Sequence, residues 1–438
     1  MRTDPGVATR DKKVQEPQYI ETATAVQTIA VSLLTGGADR PYVFGLGTSL
    51  MHSVAHLDLI GSDDLDFPEF RDRPNVTFMN LRGSQRSGVN LLRKMSRVLT
   101  YYYKLLAYCL SAKPTIFHIL WNNKFETLDR TVLMLYYRCL GKRPVLTVHN
   151  VNAGIRDAKD SVFNRLTLRV QYRLAEHLFV HTEQMRRELI QEFGVYPSRV
   201  TVIPFGINNA VPMTSLGSCE ARRTLGIGAD EKTLLFFGHI TAYKGLEYLV
   251  AAFRNLCDQY DDLRLIIAGK PNPSDGYWGL IRKAINKELR SDRVLIRAEH
   301  IPDEDTEVYF KAADVLVMPY RHVYQSGVLF LSYSFGLPVL AADVGALKDE
   351  IVEGKTGYVF NPEDPVSLEM AIKRYFTSDL YRNLDSQRTE ICAYATKRHS
   401  WDVVGQMTVK VYADLMHRGV AKPINRNAES AALDANMD

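Results

Sequence analysis

Short runs rich in Val, Ile, Leu and Phe alternate with helical patterns along most of this chain, and that alternation limits the fold more than any other feature. Strands buried on both faces read as continuous apolar runs, and parallel neighbours need a covering crossover between them. The pattern therefore predicts parallel sheets flanked by helices. A first series runs through 42–46, 76–81, 115–120, 144–149, 177–182 and 200–204. A second runs through 233–238, 263–269, 293–297, 314–319, 337–341 and 358–360. The loop-like stretch FGINNAVPMT, from Phe205, separates them. A length of 438 residues suits two domains. The expectation is an α/β protein of two Rossmann-like domains, 19–208 and 216–399, facing a cleft. Polar, aperiodic tails at 1–18 and 420–438 are expected to be disordered.

Charge narrows the partners. A formal net charge of +4 is too small to argue for nucleic acid, and it suits an anionic substrate or an anionic membrane surface. Five scattered cysteines without C-x-x-C spacing read as reduced residues rather than a disulfide frame or a zinc site. No apolar signal region or bilayer-length run is present, so a cytoplasmic protein is expected, with peripheral contact at the inner face of the membrane.

Ligands of open parallel sheets bind beyond the carboxyl ends of the strands, and the motifs cluster at such ends. In YQSGVLFLSYSFGLPVLAADVGALKDEIVEGKTG, from Tyr324, the turn Gln325, Ser326, Gly327 opens an apolar helix that Gly336 stops. Free N–H groups of such a first turn, up to Val328, suit phosphate. In FFGHITAYKGLEYLVAAF a buried strand ends at Gly238-His239, and Lys244-Gly245 opens the next helix. A lysine there either reaches a diphosphate as a point charge or is a plain surface residue. KRPVLTVHNVNAG ends a strand at His149-Asn150, so His149 either points into the cleft or is satisfied locally. His118 reads as structural, with Trp121, Asn122 and Asn123 as acceptor contacts. Asp64-Leu65-Asp66 reads as a solvated loop, and no histidine pair has metal-ligand spacing, so no metal or other cofactor is expected. Residues 90–110 are amphipathic, with Leu91, Leu92, Met95, Val98, Leu99, Tyr102, Leu105, Leu106 and Cys109 on the face expected to pack inward. Tyr101, Tyr108 and the cations are placed off that face, where they suit anionic lipid.

These motifs together resemble family 4 (group 1) of the retaining glycosyltransferases, which have the GT-B fold. The resemblance implies that the final helix, 400–418, crosses back to the first domain. It implies a metal-independent hexosyltransferase that moves a sugar from a nucleotide-diphosphate sugar to a glycan or lipid-linked acceptor, in surface polysaccharide assembly. Lys244 matches the family's G-R-x-x-x-x-K-G loop, with His239 in place of the arginine, and both face the leaving diphosphate. His149 matches T-x-H-D, where it orients the donor sugar, and Asn150 replaces the acid. Gly45, Gly47 and Thr48, in VFGLGTSLMH, resemble the glycine turn after the first strand, against donor and acceptor. Alignment on Gly336-Leu337-Pro338 puts Val323 and Leu331 where the family carries two glutamates, leaving the turn of Gln325, Ser326, Gly327 and Val328 to hold phosphate and sugar. Two other readings stay open: a non-catalytic scaffold or regulatory subunit, and a nucleotide-sugar epimerase of the same fold.

Overall fold

The computed structural model describes residues 29–36, 39–84, 91–156, 160–207, 211–273 and 276–418, so both expected tails lie outside the described residues. The first sheet contains β1 (Ala30–Leu34), β2 (His56–Gly61), β3 (Val76–Asn80), β4 (Ile116–Ile119), β5 (Arg143–Thr147), β6 (His177–Val180) and β7 (Val200–Val202). Its spatial order is β3-β2-β1-β4-β5-β6-β7, and every pairing is parallel. The second contains β8 (Lys232–Phe237), β9 (Leu263–Ala268), β10 (Val294–Arg297), β11 (Val315–Met318), β12 (Val339–Ala342) and β13 (Gly357–Phe360). Its order, β10-β9-β8-β11-β12-β13, repeats the same doubly wound plan. In each sheet the order reverses beside the first strand, so binding crevices open between β1 and β4 and between β8 and β11.

Three expectations need correction. The run 42–46 is not a strand but the start of the helix Arg40–Met51, with Pro41 in its first turn. Tyr42, Val43, Leu46 and Leu50 are all buried, and a helix covered on most sides reads as an unbroken apolar run, like a buried strand. The first two strands, β1 and β2, lie either side of it. β2 escaped notice because HLDLIG carries Asp58, which is buried and accepts a 2.7 Å bond from the Tyr108 hydroxyl.

Gly45, Gly47 and Thr48 therefore form no glycine turn after a strand. A Cβ on Gly45 would stand 1.9 Å from the Trp401 ring, one on Gly47 would stand 2.8 Å from Phe70, and the Thr48 hydroxyl bonds back to the carbonyls of Phe44 and Gly45. The turn after β1 is at Gly36, with φ +58°, where a Cβ would lie 2.0 Å from the Trp121 carbonyl oxygen.

The helix Leu91–Ser111 is rotated from the expected setting. Tyr101, Tyr102, Leu105, Tyr108 and Cys109 pack inward, whereas Leu92, Met95, Leu99, Tyr103, Leu106 and Leu110 face solvent. Tyrosine hydroxyls that find partners beneath the helix, the half-buried Asn123 and the buried Asp129 and Asp58, make the aromatic face the inner one.

The last helix, Trp401–Arg418, does return to the first domain. It packs on Arg40–Met51 through small residues, since a Cβ on Gly405 would stand 1.9 Å from the Ser49 hydroxyl. Its Tyr412 hydroxyl bonds the His118 ring at 2.5 Å, and the other His118 nitrogen meets Thr147 at 2.7 Å. His118 is thus part of the seam that holds the helix.

Candidate active site

Side chains from both crevices line one cavity of about 400 Å3. The first domain supplies Tyr42, Trp121, His149, Asn150 and His181, and the second supplies Tyr243, Lys244, Tyr320 and the turn 325–328. A wider groove of about 780 Å3 opens beside it. Charges in that groove are partly paired: Arg40 meets Asp303 at 3.3 Å, and Arg71 forks onto Asp66 at 2.8 and 3.1 Å. The Asp64-Leu65-Asp66 segment lines it, and the Arg71 bonds hold the Asp66 carboxyl below its usual range. Unmatched buried polar atoms, of Tyr42, His149, Tyr320 and Gln325, gather instead in the smaller cavity, which makes it the candidate site.

Lys244 reaches it because two glycines clear the way. Gly238, with φ +99°, ends β8, and a Cβ on it would lie 2.7 Å from the Lys244 ammonium. Gly245, with φ +63°, lies so close to the Pro319 carbonyl that a Cβ would stand 2.0 Å from its oxygen. Lys244 is 5% exposed, its Nζ sits 5.2 Å from the centroid of the Tyr320 ring, and no carboxylate stands at ion-pair distance among the described residues. Burial lowers its pKa. A buried cation without an acid is a site waiting for an anion. His239 is exposed and does not line the cavity. Partial desolvation, then the Lys244 charge, lowers its pKa, so it adds no permanent charge.

Opposite Lys244, Ser326 caps the helix Gly327–Ser334. The N–H groups of Gly327 and Val328 have no backbone partner among the described residues, and both amide atoms of Gln325 are buried and unmatched. This side of the cavity therefore offers N–H donors, the Gln325 amide and one cation, with an apolar wall at Val323 and Leu331.

The register Thr147↔Phe179 between β5 and β6 brings His149 level with His181. His181 Nδ1 lies 3.3 Å from the Ile203 carbonyl, which accepts only, so that nitrogen carries the proton. His181 Nε2, 3.3 Å from His149 Nδ1, then accepts from it. His149 Nε2 is left as a buried lone pair without a partner. Trp121 stacks on the His149 ring at 3.9 Å and 8°, and Tyr42 meets it edge-on at 4.8 Å. Burial drives the His149 pKa well below 6.5 and that of His181 to about 4, so both rings are neutral.

Sequence reasoning missed His181, Tyr42, Tyr320, Trp401 and Asp39 as cavity residues. His181 carried a readable signal, since it ends β6 as His149 ends β5. Asp39 sits at the accessible mouth, where the cleft walls still desolvate its carboxyl and raise its pKa. Asn122 and Asn123 turn to Gln171 and Asp129, away from the cavity.

Residues 61–211 match the family Glycosyltransferase Family 4, and residues 231–378 match Glycosyl transferases group 1. The chain belongs to the family 4, group 1 glycosyltransferases. A D-inositol 3-phosphate glycosyltransferase of Corynebacterium urealyticum is 28% identical over 269 residues, 59% of this chain and 61% of that protein. The chain spans about three fifths of the length of the first such relatives it matches. Among solved structures, sucrose-phosphate synthase from Thermosynechococcus elongatus superposes with a TM-score of 0.70 at 20% identity, covering 89% of this chain and all of that one. Anabaena HepE in complex with UDP and glucose gives 0.68 at 14% identity, covering 88% of this chain and all of that one. The fold is therefore GT-B, and the cavity of this glycosyltransferase-family chain lies between its two halves.

Proposed function

We propose that this protein transfers a sugar from a nucleotide-diphosphate sugar to a hydroxyl acceptor with retention of configuration. The observation that carries the reading is Lys244: a buried cation without a carboxylate partner among the described residues, facing a helix N-terminus across the interdomain cavity. Lys244 and the N–H groups of Gly327 and Val328 bind the diphosphate and take up charge as it leaves. The Gln325 amide and His149 Nε2 hydrogen-bond donor sugar hydroxyls, Nε2 strictly as an acceptor. In a front-face reaction the bond from the anomeric carbon to the diphosphate oxygen breaks. The acceptor oxygen bonds that carbon on the same side, and its proton passes to the leaving diphosphate. Closure orients the partners and excludes water.

UDP-glucose is the first donor to test, because HepE is seen with UDP and glucose. D-inositol 3-phosphate is the first acceptor, on the strength of the relatives' names. Metal independence belongs to the same reading, since a lysine and a helix dipole serve the diphosphate. No described helix is long and apolar enough to cross a membrane. The solvent-facing stripe Leu92–Leu110, beside Arg93, Lys94 and Lys104, supports peripheral contact with an anionic membrane in a polysaccharide-assembly setting.

The test is titration with UDP, GDP and ADP, with magnesium and with EDTA, repeated on Lys244→Ala. Binding of one diphosphate in EDTA, weakened at least about tenfold in the variant, is the expected result. The missing arginine and the two missing glutamates favour one other reading, a non-catalytic scaffold. Absence of binding by all three nucleotides would put that reading first.

A further inference from the structure

At the rim of the first sheet, apart from Lys244, four cations converge on a pocket of about 130 Å3. Arg82 follows β3, Lys94 and Arg97 come from the helix Leu91–Ser111, and Lys124 follows β4, with Tyr101 and Asn123 completing the lining. None of the four has a carboxylate at ion-pair distance among the described residues. The sequence between Arg82 and that helix, GSQRSGVN, contains no acid to supply one. The nearby carboxylate, Asp129, is buried and occupied: it accepts from the Asn123 N–H, the Asn123 amide and, at 3.0 Å, the Tyr102 hydroxyl.

The pocket is also held in shape. Arg97 donates to the Ser84 carbonyl, the Arg82 guanidinium lies 5.5 Å from the centroid of the Tyr101 ring, and the Tyr101 hydroxyl donates to Asn123 Oδ1 at 2.6 Å. Its volume is below the roughly 300 Å3 at which pockets for drug-sized ligands begin, so it suits one charged group rather than a whole molecule. Convergent guanidinium and ammonium groups select phosphate.

We propose that this pocket binds the phosphate or diphosphate group of the acceptor. Lys124 is three residues beyond Trp121, which stacks on His149, and three residues span at most about 11 Å. A phosphate held there leaves room for a sugar or polyol ring between it and the sugar being transferred. The role as an acceptor subsite rests on the transferase reading, but the anion site itself does not. A soluble sugar phosphate and a lipid-linked diphosphate share this chemistry, and the apolar stripe on the same helix makes room for the second.

The experiment titrates inorganic pyrophosphate into the full chain carrying Lys244→Ala, which removes the donor lysine. The titration is repeated after adding Lys94→Gln and Lys124→Gln, two exposed positions. Pyrophosphate binding that survives Lys244→Ala, falls at least about tenfold with the two glutamines, and weakens with salt is the expected result. No binding, or binding indifferent to both lysines, overturns the proposal. Glucose 6-phosphate and phosphatidylcholine vesicles doped with polyprenyl diphosphate then separate the sources, each compared with the double glutamine variant. Lysine-dependent binding of either sustains the site and names its ligand class, and lysine-independent binding of both overturns it. Should UDP, GDP and ADP all fail to bind while pyrophosphate binding passes, the transferase reading falls and the anion site stands.

Discussion

Lys244 shows how one residue sets function against stability. Its charge is buried without a carboxylate at ion-pair distance among the described residues, so the unliganded protein carries a desolvation penalty, which the diphosphate of the proposed donor would relieve. Lys244→Met is expected to stabilise the unliganded protein by roughly 0.5–2 kcal/mol while abolishing nucleotide-induced stabilisation, as read by denaturant melts with and without UDP. The histidines give the chain a pH signature. Burial holds His118 at about 3, His181 at about 4 and His149 well below 6.5. A histidine depressed on folding contributes its full stability above about pH 6.5 and loses it as pH falls toward the folded value. Unfolding free energy should therefore drop from about pH 6.5 to pH 4, by roughly 1.4 kcal/mol per pH unit for each group. Asp129, raised to about 6 by burial, works in the opposite sense, as do Asp39, Glu188 and Asp314, whose carboxyls burial also raises, and these acids offset part of that slope. A stability profile flat or rising toward acid would contradict these burials. At this scale the cavity-lining places of Lys244 and His149 were readable, because each lies in the loop that follows a strand's carboxyl end. His181 was passed over because its importance comes from the neighbouring strand.

Among elements, the pairing of Arg40–Met51 with Trp401–Arg418 decides where the first crevice sits. Gly45 and Gly206 both press on the Trp401 ring, whose Nε1 donates to the Ile207 carbonyl at 2.7 Å. Gly45→Ala puts a methyl group into that ring, so a loss of about 1–3 kcal/mol is expected in denaturant melts. The glycine motif was visible in the sequence, but its purpose was not: what fills the space is a side chain more than 350 positions away. Helix Leu91–Ser111 teaches the same point, because apolar spacing put Leu92, Met95 and Leu99 on the inner face, whereas partners for the tyrosine hydroxyls turned the aromatic face inward instead. Met95→Glu and Leu99→Glu should abolish binding to anionic vesicles while changing stability by less than about 0.5 kcal/mol, since both side chains face solvent. The donor wall shows a compensating change. Relative to the family pattern one arginine and two glutamates are absent together, so Lys244 stands without an acid at ion-pair distance among the described residues.

Across the whole molecule, the contacts that join the domains over the cleft are few among the described residues. The Tyr324 hydroxyl donates to Glu188 at 2.7 Å, Arg40 meets Asp303 at 3.3 Å, and Phe205 stacks on Phe330 at 5.3 Å. So light a polar fastening fits opening and closing around a substrate. Tyr324→Phe should leave melting nearly unchanged, shift solution scattering toward a larger radius of gyration, and lower kcat more than it changes KM. The sequence by itself determined the strand and helix alternation, the two-domain plan and the places of Lys244 and His149 in loops that follow strands. Those features depend on local period and on the general geometry of parallel sheets. Only the tertiary structure decided that Gly45 serves Trp401, that His118 anchors Tyr412, and that His181 fixes the proton on His149. Each of these is a contact between segments distant in the chain, and local spacing carries no record of which distant surface will arrive.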